Sequence, residues 1–111
     1  MNNELVSESD VERALDFLRD NAGAIGEAKA NAVRTNLMTK HVKALVMKMH
    51  NELPVSAQER EAYASEQFLR ALEDEARAAG EYEKMKGLRE AAALKIESWR
   101  TSSSNYRSMK I

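Results

Sequence analysis

The 111-residue sequence predicts an all-α fold, with three to four helices packed as an elongated hairpin or bundle with coiled-coil-like seams. Three observations lead there. Apolar residues recur at helical spacing through most of the chain. Two helix starts are written as capping boxes, Ser9 with Glu12 and Ser56 with Glu59. A seam of alternating three- and four-residue steps runs through the middle of the chain for roughly three heptads. The composition is lean: Leu, Ile, Val and Phe together number 21 and Ala alone 17. Such a chain would lie near the disordered class if the periodicity were absent. Ala costs no side-chain entropy in a helix but contributes little apolar area, so burial is expected to be completed by self-association into a homo-oligomer.

The elements follow in order. Residues 1–8 are expected to be a flexible N-terminus, and residues 9–51 one helical half. After Ser9 the residues Val11, Ala14, Leu15, Leu18, Ala22 and Ile25 keep to one helical face. Gly23 and Gly26 favour a break. The next stretch carries the seam Ala24, Ala28, Asn31, Thr35, Met38, Val42, Leu45 and Met49. Asn31 at a seam position is either a register-fixing device or a polar residue at a half-exposed end, the second being favoured. Pro54 lacks an N–H and biases Leu53 out of the helical region, which puts a turn at 51–56. The second half, 56–99, reads as helix with a stripe that changes face. Phe68, Leu72, Ala76 and Ala79 share one side, while Met85, Leu88, Ala92, Ile96 and Trp99 share another. Gly80 sits at the change, with either a break there or one long helix serving two partners in succession. Residues 100–111 read as a basic tail, turn-like through Thr101-Ser102-Ser103-Ser104-Asn105. The whole is expected to be a single helical domain whose core or oligomer seam holds Met38, Val42, Leu45, Met49, Phe68, Leu72, Leu88, Ile96 and Trp99.

Charge is distributed in blocks of alternating sign. Residues 1–27 hold seven acids and two bases, and residues 28–51 hold five bases and no acid. Residues 52–83 hold nine acids and three bases, and residues 84–111 seven bases and two acids. Blocks of this kind predict either helices paired by opposite charge or basic surfaces kept for a polyanion.

Several function classes lose their support. There is no cysteine, which excludes disulfides and thiolate metal sites. The N-terminus is acidic and lacks a signal-peptide layout, and no apolar run is long enough to span a bilayer, so a cytoplasmic setting is expected. His41 and His50 point to opposite sides of one helix and cannot share a metal. Glu73, Asp74 and Glu75 are consecutive on a helix and fan apart by about 100° each, so they read as a solvated face. With no phosphate loop or nucleophile arrangement, no enzymatic activity and no cofactor are expected.

The interleaving of cations with aromatics is more informative. Trp99-Arg100, the serine-rich spacer, Tyr106-Arg107 and Lys110 combine phosphate-tracking charge with rings that stack on bases. Trp99 is also in register with the apolar stripe, which favours a core role for it. On the central helix Lys29, Lys40 and Lys43 cluster opposite the seam and form a second candidate surface, for which pairing with an acidic helix is slightly favoured over nucleic acid.

In outline the chain resembles the small all-helical recombination accessory proteins of tailed phages, the UvsY-type mediators. The likeness rests on the Ala- and Lys-containing central helix, the element Tyr63-Ala64-Ser65-Glu66, a long helix, and the ending Tyr106-Arg107-Ser108-Met109. It covers the last two-thirds of the chain and has no counterpart for the N-terminal third. The resemblance implies a homo-oligomer that binds single-stranded DNA and assists a recombinase in a bacterial cytoplasm. From their charge and aromatic spacing the expected nucleic-acid contacts are Lys29, Lys40, Lys43, Arg100, Tyr106, Arg107 and Lys110. The rival expectation is a protein-directed inhibitor or adaptor, such as a phage protein against a host defence complex, using the acidic faces of Glu59, Glu66, Glu73, Asp74 and Glu75. A third is a purely structural coiled-coil module.

Overall fold

A computed structural model describes residues 6–109. Among them are three helices and no strand: α1 (Glu8–Met49), α2 (Val55–Ala64) and α3 (Glu66–Met109). The protein is all-α.

Each helix end has a local cause. At the start of α1 the Asp10 N–H donates to Ser7 Oγ at 3.1 Å and the Ser7 N–H donates to Asp10 Oδ2 at 3.1 Å. This reciprocal box is the one expected at Ser9 and Glu12, moved two residues towards the N-terminus. Asp10 also pairs with Arg13, which ties the first two turns together. The connection at 50–54 follows Met49, as Pro54 requires, and Pro54 itself is the N-cap of α2. Ser56 therefore lies inside the first turn, and no side chain caps this end. Helix α2 stops at Ser65, whose backbone is extended, and α3 begins at the next residue. Ser65 closes both ends: its hydroxyl donates to the Ala62 carbonyl at 2.7 Å and accepts from the Phe68 N–H at 3.1 Å.

The break expected at Gly23 and Gly26 does not occur, and of the two alternatives at Gly80 the helix that runs on is the one found. Gly23 and Gly26 lie inside α1, and Gly80 and Gly87 inside α3. Each costs about 1 kcal/mol relative to Ala, less than a packed amphipathic face returns over many turns. The serine-rich stretch after Trp99 is likewise helical, through Met109.

Packing falls into two compact units, each described by itself. Unit 1 comprises the described residues within Met1–Ile25 and Lys84–Ile111, and unit 2 is Gly26–Glu83. In unit 1 the buried residues are Val11, Ala14, Ile25 and Ala92, with Phe17, Leu18, Met85, Ile96 and Trp99 half-buried beside them. Leu15 and Ala22 face outwards, and Asn21 takes the inward position, its amide donating to the Phe17 carbonyl at 3.0 Å. In unit 2 the second part of α1 runs antiparallel to the first part of α3. Asn36 reaches Glu75, Thr39 reaches Ala71, and Lys43 reaches Tyr63, so partners descend as α1 ascends. Ala62 of α2 is fully buried in this unit, with Val46, Ala71 and Ala78.

Burial corrects the phase of the seams. On α1 the inward positions are Ile25, Ala28, Ala32, Thr35, Thr39, Val42 and Val46, a regular three–four repeat. It shares Ala28, Thr35 and Val42 with the expected seam, but its other members lie one residue further on. Thr39 is 8% exposed whereas Met38 is 47%, and Val46 is 4% exposed whereas Leu45 is 48%. Met49 is exposed as well, so Met38, Leu45 and Met49 are not members of the seam within the chain. On α3 the inward row is Phe68, Ala71, Glu75, Ala78, Tyr82, Met85, Ala92, Ile96, Trp99 and Ser103. That row keeps the same repeat through Gly80, so the stripe does not change face. Leu72 and Leu88 are exposed beside it, which removes both from the expected core. The leucines were misleading because alanines and hydrogen-bonded polar residues hold the contact positions, where two backbones approach closely.

Candidate nucleic-acid interface

The C-terminal basic block belongs to unit 1 and is organised by the helix that carries it. Because α3 continues to Met109, Trp99, Ser103 and Tyr106 fall at steps of four and three on one face. Trp99 and Ser103 are half-buried there, and Tyr106, one turn on, is exposed. Arg100, Ser104 and Arg107 occupy the adjacent face at the same steps, and all three are exposed. The same face extends back along the helix to Arg89 and Lys86, which lie whole numbers of turns from Arg100. Arg89 is exposed and Lys86 half-buried. Sequence reasoning missed these two because it ended the helix at Trp99. The signal was present in their helical spacing from Arg100. Lys110 lies outside the described residues.

The electrostatics of this face follow from what neutralises it. Residues 84–109 carry six basic and two acidic side chains. Arg100 Nη1 lies 3.4 Å from Glu97 Oε2, an exposed pair of the kind worth about 0–1 kcal/mol. Three of the five acids of α1 in the same unit, Asp10, Asp16 and Asp20, are engaged on their own helix. Asp10 pairs with Arg13, and Arg19 pairs with Asp16 at 3.2 Å and Asp20 at 3.0 Å. Among the described residues, the ion pairs within 4.0 Å are all local in sequence. The opposite charges of α1 and α3 are thus not consumed in contacts between the two helices.

The central lysines belong to unit 2 and separate into two kinds. Lys29 and Lys40 are exposed. Lys43 is turned inwards, with Nζ donating to the Tyr63 hydroxyl at 2.9 Å and lying 4.6 Å from that ring's centroid. The hydrogen bond with Tyr63 raises its pKa above the ordinary lysine value. Tyr63 in turn packs edge-on against Phe68, with centroids 5.3 Å apart at 82°. Lys43 thus links α1 to α2, and its ammonium already has a partner within the chain.

The acidic faces are partly spent. Glu75 accepts from Asn36 Nδ2 at 2.7 Å and from Thr39 Oγ1 at 2.8 Å. Glu66 pairs with Arg70 at 2.7 Å, and Asp74 with Arg77 at 3.0 Å. His41 is exposed on α1, and His50 lies at the turn after it, 4.0 Å from Glu52. No helix among the described residues is long and apolar enough to cross a membrane.

The class so defined is that of all-α proteins with charged exposed faces. No protein-family model matches this chain, and no curated protein or solved structure is significantly similar to it.

Proposed function

We propose that this is a non-enzymatic, self-associating binding protein whose ligand is single-stranded nucleic acid, held along the C-terminal half of α3. One observation carries the reading: Arg100, Ser104 and Arg107 form one exposed helical ridge, continued by Arg89 and Lys86, and among the described residues its one ion pair within 4.0 Å is the exposed Arg100–Glu97 pair. Cations at helical repeats track phosphates, and exposed Tyr106 beside the ridge supplies a ring for stacking. Repetition of these weak contacts in an oligomer raises affinity through effective concentration. A role as a recombination accessory factor in a bacterial cytoplasm, assisting a recombinase, rests on the resemblance to UvsY-type mediators.

The inhibitor reading has less support. Of the five carboxylates it relies on, Glu66, Asp74 and Glu75 already have partners within the chain. The test is titration of a labelled single-stranded oligonucleotide at several salt concentrations. Four phosphate contacts give a slope of about −3 in log K against log salt, and R100A/R107A reduces it by about half. Absence of binding at low salt overturns the reading and promotes the inhibitor.

A further inference from the structure

We propose that unit 2 is the dimerisation surface, and that its occupant is a second copy of this chain bound with each α1 against the partner's α3. The inference takes up the self-association in the proposed function and is independent of the nucleic-acid part. It begins with which residues share a side. Residues two apart on a helix point about 200° apart. Asn31, Thr35 and Met38 of α1 and Asp74 and Arg77 of α3 line two grooves on one side of unit 2. Lys29 and Val33 flank Asn31 by two positions, and Lys40 follows Met38 by two. Leu72 and Ala76 flank Asp74 in the same way. These residues therefore look out together on the opposite side, and all five are exposed.

That side is apolar at its centre and divided by charge. Val33 is 53% exposed there, and with Leu37, 58% exposed, it lines a shallow trough of about 650 Å³ that continues round the outer face of α1 to Met38. On α3 Leu69 and Leu72 are exposed with Ala76 and Ala79. Lys29 and Lys40 border the apolar surface of α1, whose stretch 28–51 contains no acid. Glu73 and Glu83 border that of α3. A single helix with this much apolar surface on two sides is built to be covered on both.

Charge chooses the occupant. Setting α1 against α1 brings lysines together, and setting α3 against α3 brings glutamates together. Only α1 against the partner's α3 is complementary. A twofold axis running along the helices makes that contact twice and leaves heights along the helices unchanged. The register within the chain, Asn36 with Glu75 and Thr39 with Ala71, then carries over to the partner. Extended along α1, it brings Lys29 level with Glu83, Val33 with Ala76 and Ala79, and Lys40 with Leu72 and Glu73.

The test uses the full chain and light scattering at micromolar concentration. The expected mass is twice the 12.5 kDa of one chain. K29E/K40E and E73K/E83K are each expected to halve it, and the four substitutions together to restore it, with helicity followed by circular dichroism. The chain has no cysteine, so a second measurement is available should a variant lose helicity. V33C chains mixed with A76C chains are expected to form a disulfide-linked pair on oxidation, and V33C alone is not. A wild-type mass of one chain, a dimer that survives both charge reversals, failure of the fourfold variant to dimerise while helical, or ready cross-linking of V33C alone would each overturn the proposal. A dimer that binds no oligonucleotide overturns only the nucleic-acid reading, and a monomer that binds one overturns only this proposal.

Discussion

Thr39 Oγ1 donates to Glu75 Oε2 at 2.8 Å, linking the centre of α1 to the first half of α3 in unit 2. The Thr39 hydroxyl also has the carbonyls of Thr35 at 3.0 Å and Ala71 at 3.4 Å within reach, but the carboxylate is nearest and charged. A polar side chain is tolerated at a position 8% exposed because its one donor is satisfied across the interface. Thr39→Val keeps the shape and removes the donor. It is expected to lower stability by about 1 kcal/mol, read as a lower urea midpoint at unchanged slope. An unchanged midpoint would show that the hydroxyl contributes nothing net.

Glu75 also predicts an acid limb. Hydrogen bonds from Asn36 first and Thr39 second hold its pKa below the ordinary glutamate value, with the charge of Lys40 adding to the effect. Asp10 is lowered as well, by the Ser7 backbone N–H, then the Ser7 hydroxyl and Arg13. A depressed folded-state pKa contributes stability that is fully present above the unfolded value and is lost as pH falls through the folded one. Stability is therefore expected to be flat from neutrality to about pH 5 and to decline below about pH 4. Glu75→Gln should make that decline shallower in denaturation midpoints taken across the acid range.

The cap positions can be told apart by alanine substitution. Ser65→Ala removes the acceptor for the Phe68 N–H and the link to Ala62, at a cost of about 1 kcal/mol. Ser7→Ala is expected to cost a similar amount, about 1 kcal/mol, through the Asp10 N–H. Ser9→Ala removes only an exposed contact from Arg13 and should leave the melting temperature unchanged. Equal losses at Ser7 and Ser9 would return the cap to the position expected from sequence.

Gly23 and Gly87 lie within helices, and a Cβ added at either would meet nothing within 4 Å. Gly23→Ala and Gly87→Ala should each stabilise the protein by roughly 0.5–1 kcal/mol, measured as a rise in melting temperature. A loss at either would mean that another backbone approaches there.

The alternating charge blocks are legible in sequence, and the antiparallel hairpin of unit 2 gives them a spatial meaning. The basic block of α1 lies beside the acidic block of α3. In unit 1 the acidic start of α1 shares a unit with the basic end of α3. The candidate ridge was half legible. Arg100 and Arg107 were found by their aromatic neighbours, whereas Arg89 and Lys86 join them only once the segment after Trp99 is helical.

The sequence by itself determined the all-α class, the turn at Pro54, and the three–four repeat through Ala28, Thr35 and Val42. Periodicity specifies a direction around a helix only to within about one residue, or 100°. Tertiary structure decided between Met38 and Thr39, and between Leu45 and Val46. At the first of these the chosen residue, Thr39, faces Ala71 and Glu75, where a small hydrogen-bonding side chain admits a closer helix than a long apolar one. The same physics carried both long helices through their glycines, since packing over many turns outweighs a local propensity.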